Sequence, residues 1–452
     1  MSFWYAVFNY FNHKKHKVTQ NSHLSSFIVH RSSFITHLSP RLPSFITLNS
    51  SLLVLNSITV VCILLVLPAA MSRASWLAAL GGCAFTGILY GTQNKTITDC
   101  YKKYRKTIIL FSFVAFILLA ISMTGLFLLK KNSASGRAFT WKIAIRTIKE
   151  HPMGVGLGHF GGAYGDEQAK YFASEAGAIW EKHVAEGVEY AFNEYLQICI
   201  ETGIVSFLAF IAFVIRTLFI GIKNKNYIPA GSLVSLLIFA AMSYPFNVLP
   251  FVIAFMFLSA LCLSDNLGQS EQTKHLYQKF AVWAFILIAP VTITLCSHKI
   301  YLSYEAYRQW KITQLLHDLE EYAKQYPYLQ DNIVFCFGYA QSLSKSGKYE
   351  ESNKIINNAI KISCDPMFYN IMGKNYHALK KYGLAEQCLK KAANIAPNRL
   401  YPHYLLAKLY HEMGLAKKME KEINIVLTTT PKIDSKAIEE MKEELVKLRD
   451  ER

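Results

Sequence analysis

Residues 135–203 read SGRAFTWKIAIRTIKEHPMGVGLGHFGGAYGDEQAKYFASEAGAIWEKHVAEGVEYAFNEYLQICIETG, the one long polar stretch between apolar segments of membrane length. It holds an arginine among small residues (Gly136-Arg137), a His151-Pro152 break, and glycines at 154, 156, 158, 161 and 162. Carboxylates and aromatics follow, closing on Ala191-Phe192-Asn193-Glu194-Tyr195-Leu196. A polar connection this long between spanning helices is a place where function concentrates, because rigid flanks position what the loop carries.

Working outward, apolar runs precede it at about 48–67, 74–90 and 107–129. Others follow at about 195–222 and 228–242, then a Tyr244-Pro245-Phe246 turn leads into a run ending near Leu263, and a last one covers about 280–296. These lengths suit a hydrocarbon layer of ~30 Å. With 52% hydrophobic residues and a mean hydropathy of +0.20 over 452 residues, the composition points to a polytopic membrane protein. The expected class is all-α: a transmembrane bundle of about seven spans over 48–296, with residues 131–194 as its large loop.

The formal net charge of +17 punctuates the apolar segments, and no nucleic-acid-binding motif accompanies it. Lys and Arg collect in cytoplasmic loops. With the N-terminus inside, Lys95 to Lys106, Lys223 and Lys225, and Lys274 and Lys279 all fall inside. Arg73, the polar insert, the Tyr244 turn and everything after about Ser297 then fall outside. Residues 1–47 are basic, with no Asp or Glu before Asp99. They read as a cytoplasmic flank or an organelle transit peptide, and their aromatic opening is too short to span a bilayer.

From about Tyr301 the chain turns polar and repeats every 33 to 34 residues. Gly373, Tyr376, Ala385, Leu389, Ala392 and Pro397 follow the tetratricopeptide spacing. Ala340, Leu343, Gly347, Tyr349, Ile356 and Ala359 match it one repeat earlier, and Ala407, Tyr410, Gly414, Ile423, Val426 and Pro431 one repeat later. Small residues let paired helices approach closely, so residues 301–452 are expected to form a helical repeat solenoid. Of nine cysteines none sits in a CxxC or Cys/His ligand spacing, and Cys336, Cys364 and Cys388 read as buried repeat thiols. No metal site is signalled.

Gly156-x-Gly158-x-x-Gly161 has the form of a dinucleotide fingerprint, but no strand precedes it and no βαβ unit surrounds it. It reads as turns after a Pro-broken helix, or as backbone N–H groups approaching an anion. Arg73 and Arg137 stand behind Ser72 and Gly136 at outer membrane boundaries, as snorkelling anchors or as guanidinium forks for a diphosphate.

Ser72-Arg73-Ala74-Ser75-Trp76, Ser135-Gly136-Arg137 with Trp141, the His151 to Gly158 run, and Phe192-Asn193-Glu194-Tyr195-Leu196 with Glu201-Thr202-Gly203 form an ordered set. Together they resemble the O-antigen ligase family, in the branch with C-terminal tetratricopeptide repeats. The resemblance implies a GT-C-like glycosyltransferase of the bacterial inner membrane with periplasmic repeats. It moves a glycan from undecaprenyl pyrophosphate to an acceptor hydroxyl, on lipid A core or protein, without metal or other cofactor; related polymerases extend a glycan instead. It further implies that Arg73 and Arg137 hold the pyrophosphate and that the insert builds the acceptor cleft.

Family members commonly carry His immediately before the Asn of the last motif, and here Phe192 stands there. The base is therefore sought among Glu194, Glu189, Glu186, His183 and His159, with Glu194 first and Asn193 beside it. Its other reading is a carboxylate favoured by a helix N-terminus. Seven spans where the family has around a dozen imply a compact variant or a truncated product. The competing function is a non-catalytic membrane scaffold, with a protein or peptide partner in the repeat groove.

Overall fold

The computed structural model describes residues 57–59, 61–62, 72–93, 131–174, 177–264, 271–313, 318–431 and 435–450, and every regular element among them is helical. The order is α1 (Arg73–Gln93), α2 (Lys131–Glu150), α3 (Phe160–Ala173), α4 (Ile179–Val184), α5 (Glu194–Lys223), α6 (Tyr227–Ala240), a 3-10 turn (Pro245–Asn247), α7 (Leu249–Leu263) and α8 (Glu271–Thr313). Then come α9 (Leu319–Leu329), α10 (Ile333–Lys345), α11 (Tyr349–Ala359), α12 (Pro366–Ala378), α13 (Tyr382–Ile395), α14 (Tyr401–Glu412), α15 (Ala416–Thr428) and α16 (Lys436–Asp450).

Among the described residues two helices, Ala74–Thr92 within α1 and the whole of α5, are long and apolar enough to cross a membrane. α6 and α7 are apolar but have only 14 and 15 residues. The runs expected at about 48–67 and 107–129 fall outside the described residues, apart from a few positions of the first. The last expected run lies inside α8, which continues without a break to Thr313 and so carries the membrane part into the repeats.

α1 and α6 approach through glycine. A methyl on Gly82 would stand 2.8 Å from the Gly231 carbonyl oxygen, and Ser235 donates a hydrogen bond to the Ala78 carbonyl at 2.8 Å. Lipid tails are as apolar as leucine, so close backbone contact and interhelical hydrogen bonds, rather than hydrophobic burial, hold such a pair. Ile88 of α1 and Val205, Leu208, Ile215 and Phe219 of α5 face outward, as a lipid-facing surface does.

α5 is broken at Gly203, whose φ of 85° and ψ of 166° are open essentially to glycine alone. The break strands backbone groups that a continuous helix would pair, and the loop after α2 takes them up. Val155 N–H donates to the Ile200 carbonyl at 2.9 Å, Gly156 N–H donates to Glu201 at 2.9 Å, and Ile204 N–H donates to Pro152 at 3.0 Å. Gly154 has φ 87° and lies so close that a methyl there would stand 2.6 Å from the Gly203 nitrogen. Of the loop amides read in the sequence as available to an anion, that of Gly156 is thus spent on α5 and that of Gly154 on the His151 carbonyl.

The first nine residues of α5, before the break, belong to the insert rather than to a membrane span. Ile200 is fully buried in a cluster with Phe139 and Ile143 of α2, and with Phe160, Tyr164 and Tyr171 of α3. The expected start of the fourth span near Tyr195 therefore moves to Ile204. Lys142 Nζ donates to Glu181 Oε1 at 2.6 Å, and the Tyr171 hydroxyl donates to Glu181 Oε2 at 2.6 Å. Desolvation pushes the Glu181 carboxyl up; the bonds from Lys142, Tyr171 and the Ala178 amide outweigh it and hold it below the ordinary carboxylate range.

The insert is seated on the repeats. Gly161, Gly162 and Gly165 on α3 face the chain at 360–364, where a methyl on Gly161 would meet the Ile362 carbonyl oxygen at 2.7 Å. Ala169 of α3 joins Tyr369, Ala392 and Ile395 in one buried cluster. Lys391 Nζ pairs with Asp166 Oδ1 at 2.7 Å, and Asn398 Nδ2 donates to the Ala185 carbonyl at 2.7 Å. Insert and repeats therefore pack as one body.

Within the repeats, α10 to α15 form successive helix pairs. The small and apolar positions of the 33-to-34-residue pattern are the buried ones: Ala340, Ile356, Ala359, Ala385, Ala392, Ala407 and Ile423 are all fully buried. The turn inside each pair takes a positive φ, at Gly347, Lys380 and Gly414. Burial pushes the thiols of Cys336 and Cys364 up to about 12, so both are inert core groups. Glu386 accepts from Lys390, from the Tyr410 hydroxyl at 2.8 Å and from Lys418 at 3.1 Å. Desolvation opposes its charge, yet these donors bring it down to about 2.

Two outcomes follow for stability. Gly203→Ala places a methyl 2.6 Å from the Met153 carbonyl oxygen and a strained φ at the break. It should cost on the order of 3 kcal/mol in denaturant unfolding of the purified chain. Glu386 is depressed in the fold, so between its ordinary value of 4.5 and about 2 the unfolded chain binds the proton more readily. The stabilisation is complete above that window and lost as pH falls through it. Amide exchange in α13–α15 should accelerate across that range, with a smaller pH dependence in Glu386→Gln.

Candidate functional site

The unequal lengths of the apolar helices leave a step in backbone height, a recess between the tops of α6 and α7 and the break in α5. At 1.5 Å per residue, α5 runs about 30 Å from Lys223 to its break, whereas α6 and α7 run only about 21–23 Å. Their lower ends are level, since Asn226 Nδ2 donates to the Leu261 and Ser264 carbonyls at 2.9 Å. The turn at 241–248 therefore stops several ångströms short of the break, and Phe246 packs edge-on against Phe210 partway along α5. The first turn of α5 lies across this recess: the Tyr195 hydroxyl donates to the Leu237 carbonyl at 2.9 Å, and Phe246 N–H donates to Glu194 Oε1 at 2.7 Å.

Arg137 enters from α2. Its Nη1 donates to the Met242 carbonyl at 2.7 Å, and its guanidinium lies 5.2 Å from the Phe192 ring centroid. The carbonyl and the π face orient the guanidinium. One turn on, Trp141 Nε1 donates to the Ala191 carbonyl at 3.0 Å and fixes the backbone that presents Phe192. Phe192 has φ 51°, a left-handed conformation that is uncommon for a bulky residue and costs on the order of 1–3 kcal/mol. Its ring meets the edge of Tyr244 at 5.5 Å, and Tyr244 stacks on Tyr190 at 4.7 Å.

Arg73 opens α1; its side chain lies outside the described residues. Its backbone position follows from helix register. Ala78 is paired with Ser235, and Gly82 with Gly231. Five residues further along both helices, the Arg73 backbone lies at the height of Ala240, two positions from the Met242 carbonyl that takes Arg137.

The remaining expected residues divide. Asn193 caps α5, its side chain accepting from Leu196 N–H at 3.2 Å. Glu194 is only 2% exposed and is held by the turn. His159 lies elsewhere, in a cleft between loop and repeats with Asp166, Tyr369 and Lys391, and its Nδ1 is bonded to the Leu157 carbonyl at 2.9 Å. His183 and Glu186 offer backbone carbonyls to Asn398 and Gln168. Desolvation and then the charge of Asp365 push the Glu189 carboxyl up. Sequence reasoning missed Met242 as the partner of Arg137, and Tyr244 and Tyr190 as the aromatic stack against Phe192. An aromatic beside proline between two short apolar runs was the available signal.

Fold and site define an assembly of apolar helices, two of them long enough to cross a membrane, with a folded polar insert and helix-pair repeats, in which Arg137 is held at the turn beneath the insert. The family model described as O-antigen ligase matches residues 58–211, which include Arg73, Arg137 and Phe192-Asn193-Glu194. A tetratricopeptide repeat model matches 368–399. No curated protein matches the chain. The chain carries an O-antigen ligase domain followed by tetratricopeptide repeat structure.

Removing the Glu194 carboxylate leaves the Phe246 amide without its acceptor. Glu194→Ala should lower stability by about 1–2 kcal/mol, whereas Glu194→Gln keeps an acceptor and stays near the parent. Thermal unfolding of the purified chain reads the difference.

Proposed function

We propose that the chain is a membrane glycosyltransferase of the O-antigen ligase type. It transfers a glycan from undecaprenyl pyrophosphate to an acceptor hydroxyl, of lipid A core or protein, on the periplasmic face of the bacterial inner membrane. The bundle has seven spans, and the solenoid of repeats stands in the periplasm.

What supports this reading is Arg137, bonded to the Met242 carbonyl, together with the start of α1 at Arg73, whose backbone the helix register sets level with Ala240. A lipid pyrophosphate reaches such a place from within the leaflet, with its glycan turned toward the insert. Two guanidinium groups there stabilise the charge that grows on the diphosphate as the sugar–phosphate bond breaks. The acceptor hydroxyl must lose a proton as it attacks. Phe192 takes none, and we assign that role to Glu194, whose Oε1 is fixed by the Phe246 amide and whose neighbours exclude water. Tyr190, Tyr244 and Phe192 wall the recess beside Arg137 with aromatic faces suited to sugar rings.

The competing reading is a non-catalytic scaffold whose repeats hold a protein partner. Burial of Glu194 and the presence of Phe192 favour it. One assay separates the two: transfer of a lipid-linked glycan in membranes lacking other ligases. Arg73→Ala and Arg137→Ala should each lower the rate by roughly 10²–10³-fold at unchanged expression. Glu194→Gln should lose a comparable factor while keeping its thermal stability. Parent-like transfer in both arginine variants, or no transfer by a stable parent chain, would leave the scaffold as the function.

A further inference from the structure

We propose that the loop 152–158 is sunk into the lipid of the leaflet on the insert side, as a foot that holds insert and repeats against the membrane. The loop reads PMGVGLG and carries no charge. Met153 is 84% exposed and Leu157 76%, among the most exposed large apolar side chains described.

Their place in the fold explains what covers them. Ile204 N–H donates to the Pro152 carbonyl at 3.0 Å, and Met153 lies in backbone contact with Gly203. Ile204 is also where the lipid-facing surface of α5 begins, with Val205 73% and Leu208 59% exposed. The stretch from Ile204 to Lys223 measures about 30 Å, the thickness of a hydrocarbon core. The exposed apolar face of the span thus begins beside Met153, which places the loop at the level where hydrocarbon meets headgroups.

Backbone chemistry permits the immersion. Non-helical chain enters lipid only if its polar groups are satisfied within the protein. Gly154 N–H donates to His151, Val155 N–H to Ile200 and Gly156 N–H to Glu201. His151 and His159 flank the loop with polar rings that suit the headgroup zone. The glycines serve this arrangement: positive φ at 154, 156 and 158 folds the loop tightly, so that Met153 and Leu157 protrude as its apolar points.

The proposal rests on α5 being a membrane span, and the test separates the two. The full-length chain is reconstituted into phosphatidylcholine–phosphatidylglycerol vesicles whose acyl chains are brominated near the glycerol end. Met153→Trp and Leu157→Trp are compared with Asn424→Trp on the exposed face of α15, after subtraction of the parent emission. The added indole at 153 or 157 should emit to the blue of that at 424 and be quenched roughly twice as strongly or more. Quenching at both loop positions no greater than at 424, in chains that float with the vesicles, overturns the proposal. A parent chain that fails to float overturns the span as well as the foot.

Discussion

The structure depends on one break in one helix. Gly203 interrupts α5, and the carbonyls and amide set free are paired by the loop at 152–156. Unpaired buried backbone groups are costly, so a break of this kind persists only where something else supplies the partners. That supply ties the end of α2 to the middle of α5. It divides α5 into a membrane span and a short helix that belongs to the insert, and it lays the N-terminus of that short helix over the recess.

From this follows the shape of the candidate site. Were α5 continuous, Glu194 would stand well above the turn at 241–248; bent over, it meets the Phe246 amide. The same bend brings Phe192 against Arg137 and Tyr244. Two short helices, α6 and α7, supply the depth, and the glycine contact of α1 with α6 sets the register that carries Arg73 to the same edge.

The repeats act as the other wall. Their first task in this fold is internal: the chain at 360–364 receives α3, and Lys391 and Asn398 bind the insert directly. A loop of this length would pay a large entropic cost to hold one shape alone. Packed between the α5 break and the repeats, it contributes its own buried cluster around Phe139, Phe160 and Ile200. Any partner that binds the repeats therefore acts on a body already joined to the membrane site.

Periodicity and length were legible in the sequence. Apolar runs declare apolar helices, two of which among the described residues are long enough to cross a membrane, and a small-residue pattern at 33 to 34 residues declares helix pairs; Ala340, Ala385 and Ala407 are buried as that pattern requires. The ordered motifs likewise named Arg73, Arg137 and Glu194. These are local properties, set by how successive residues fall on one helix face. Tertiary structure alone decided that Gly154 and Gly203 meet across 49 positions, that Gly161 and Gly162 serve close packing on the repeats rather than an anion, and that Glu194 is buried against a turn 52 residues away. A glycine marks where backbone conformation or close approach is needed without naming what approaches, and a carboxylate carries no mark of its partner. Only the path of the whole chain brings those partners into contact.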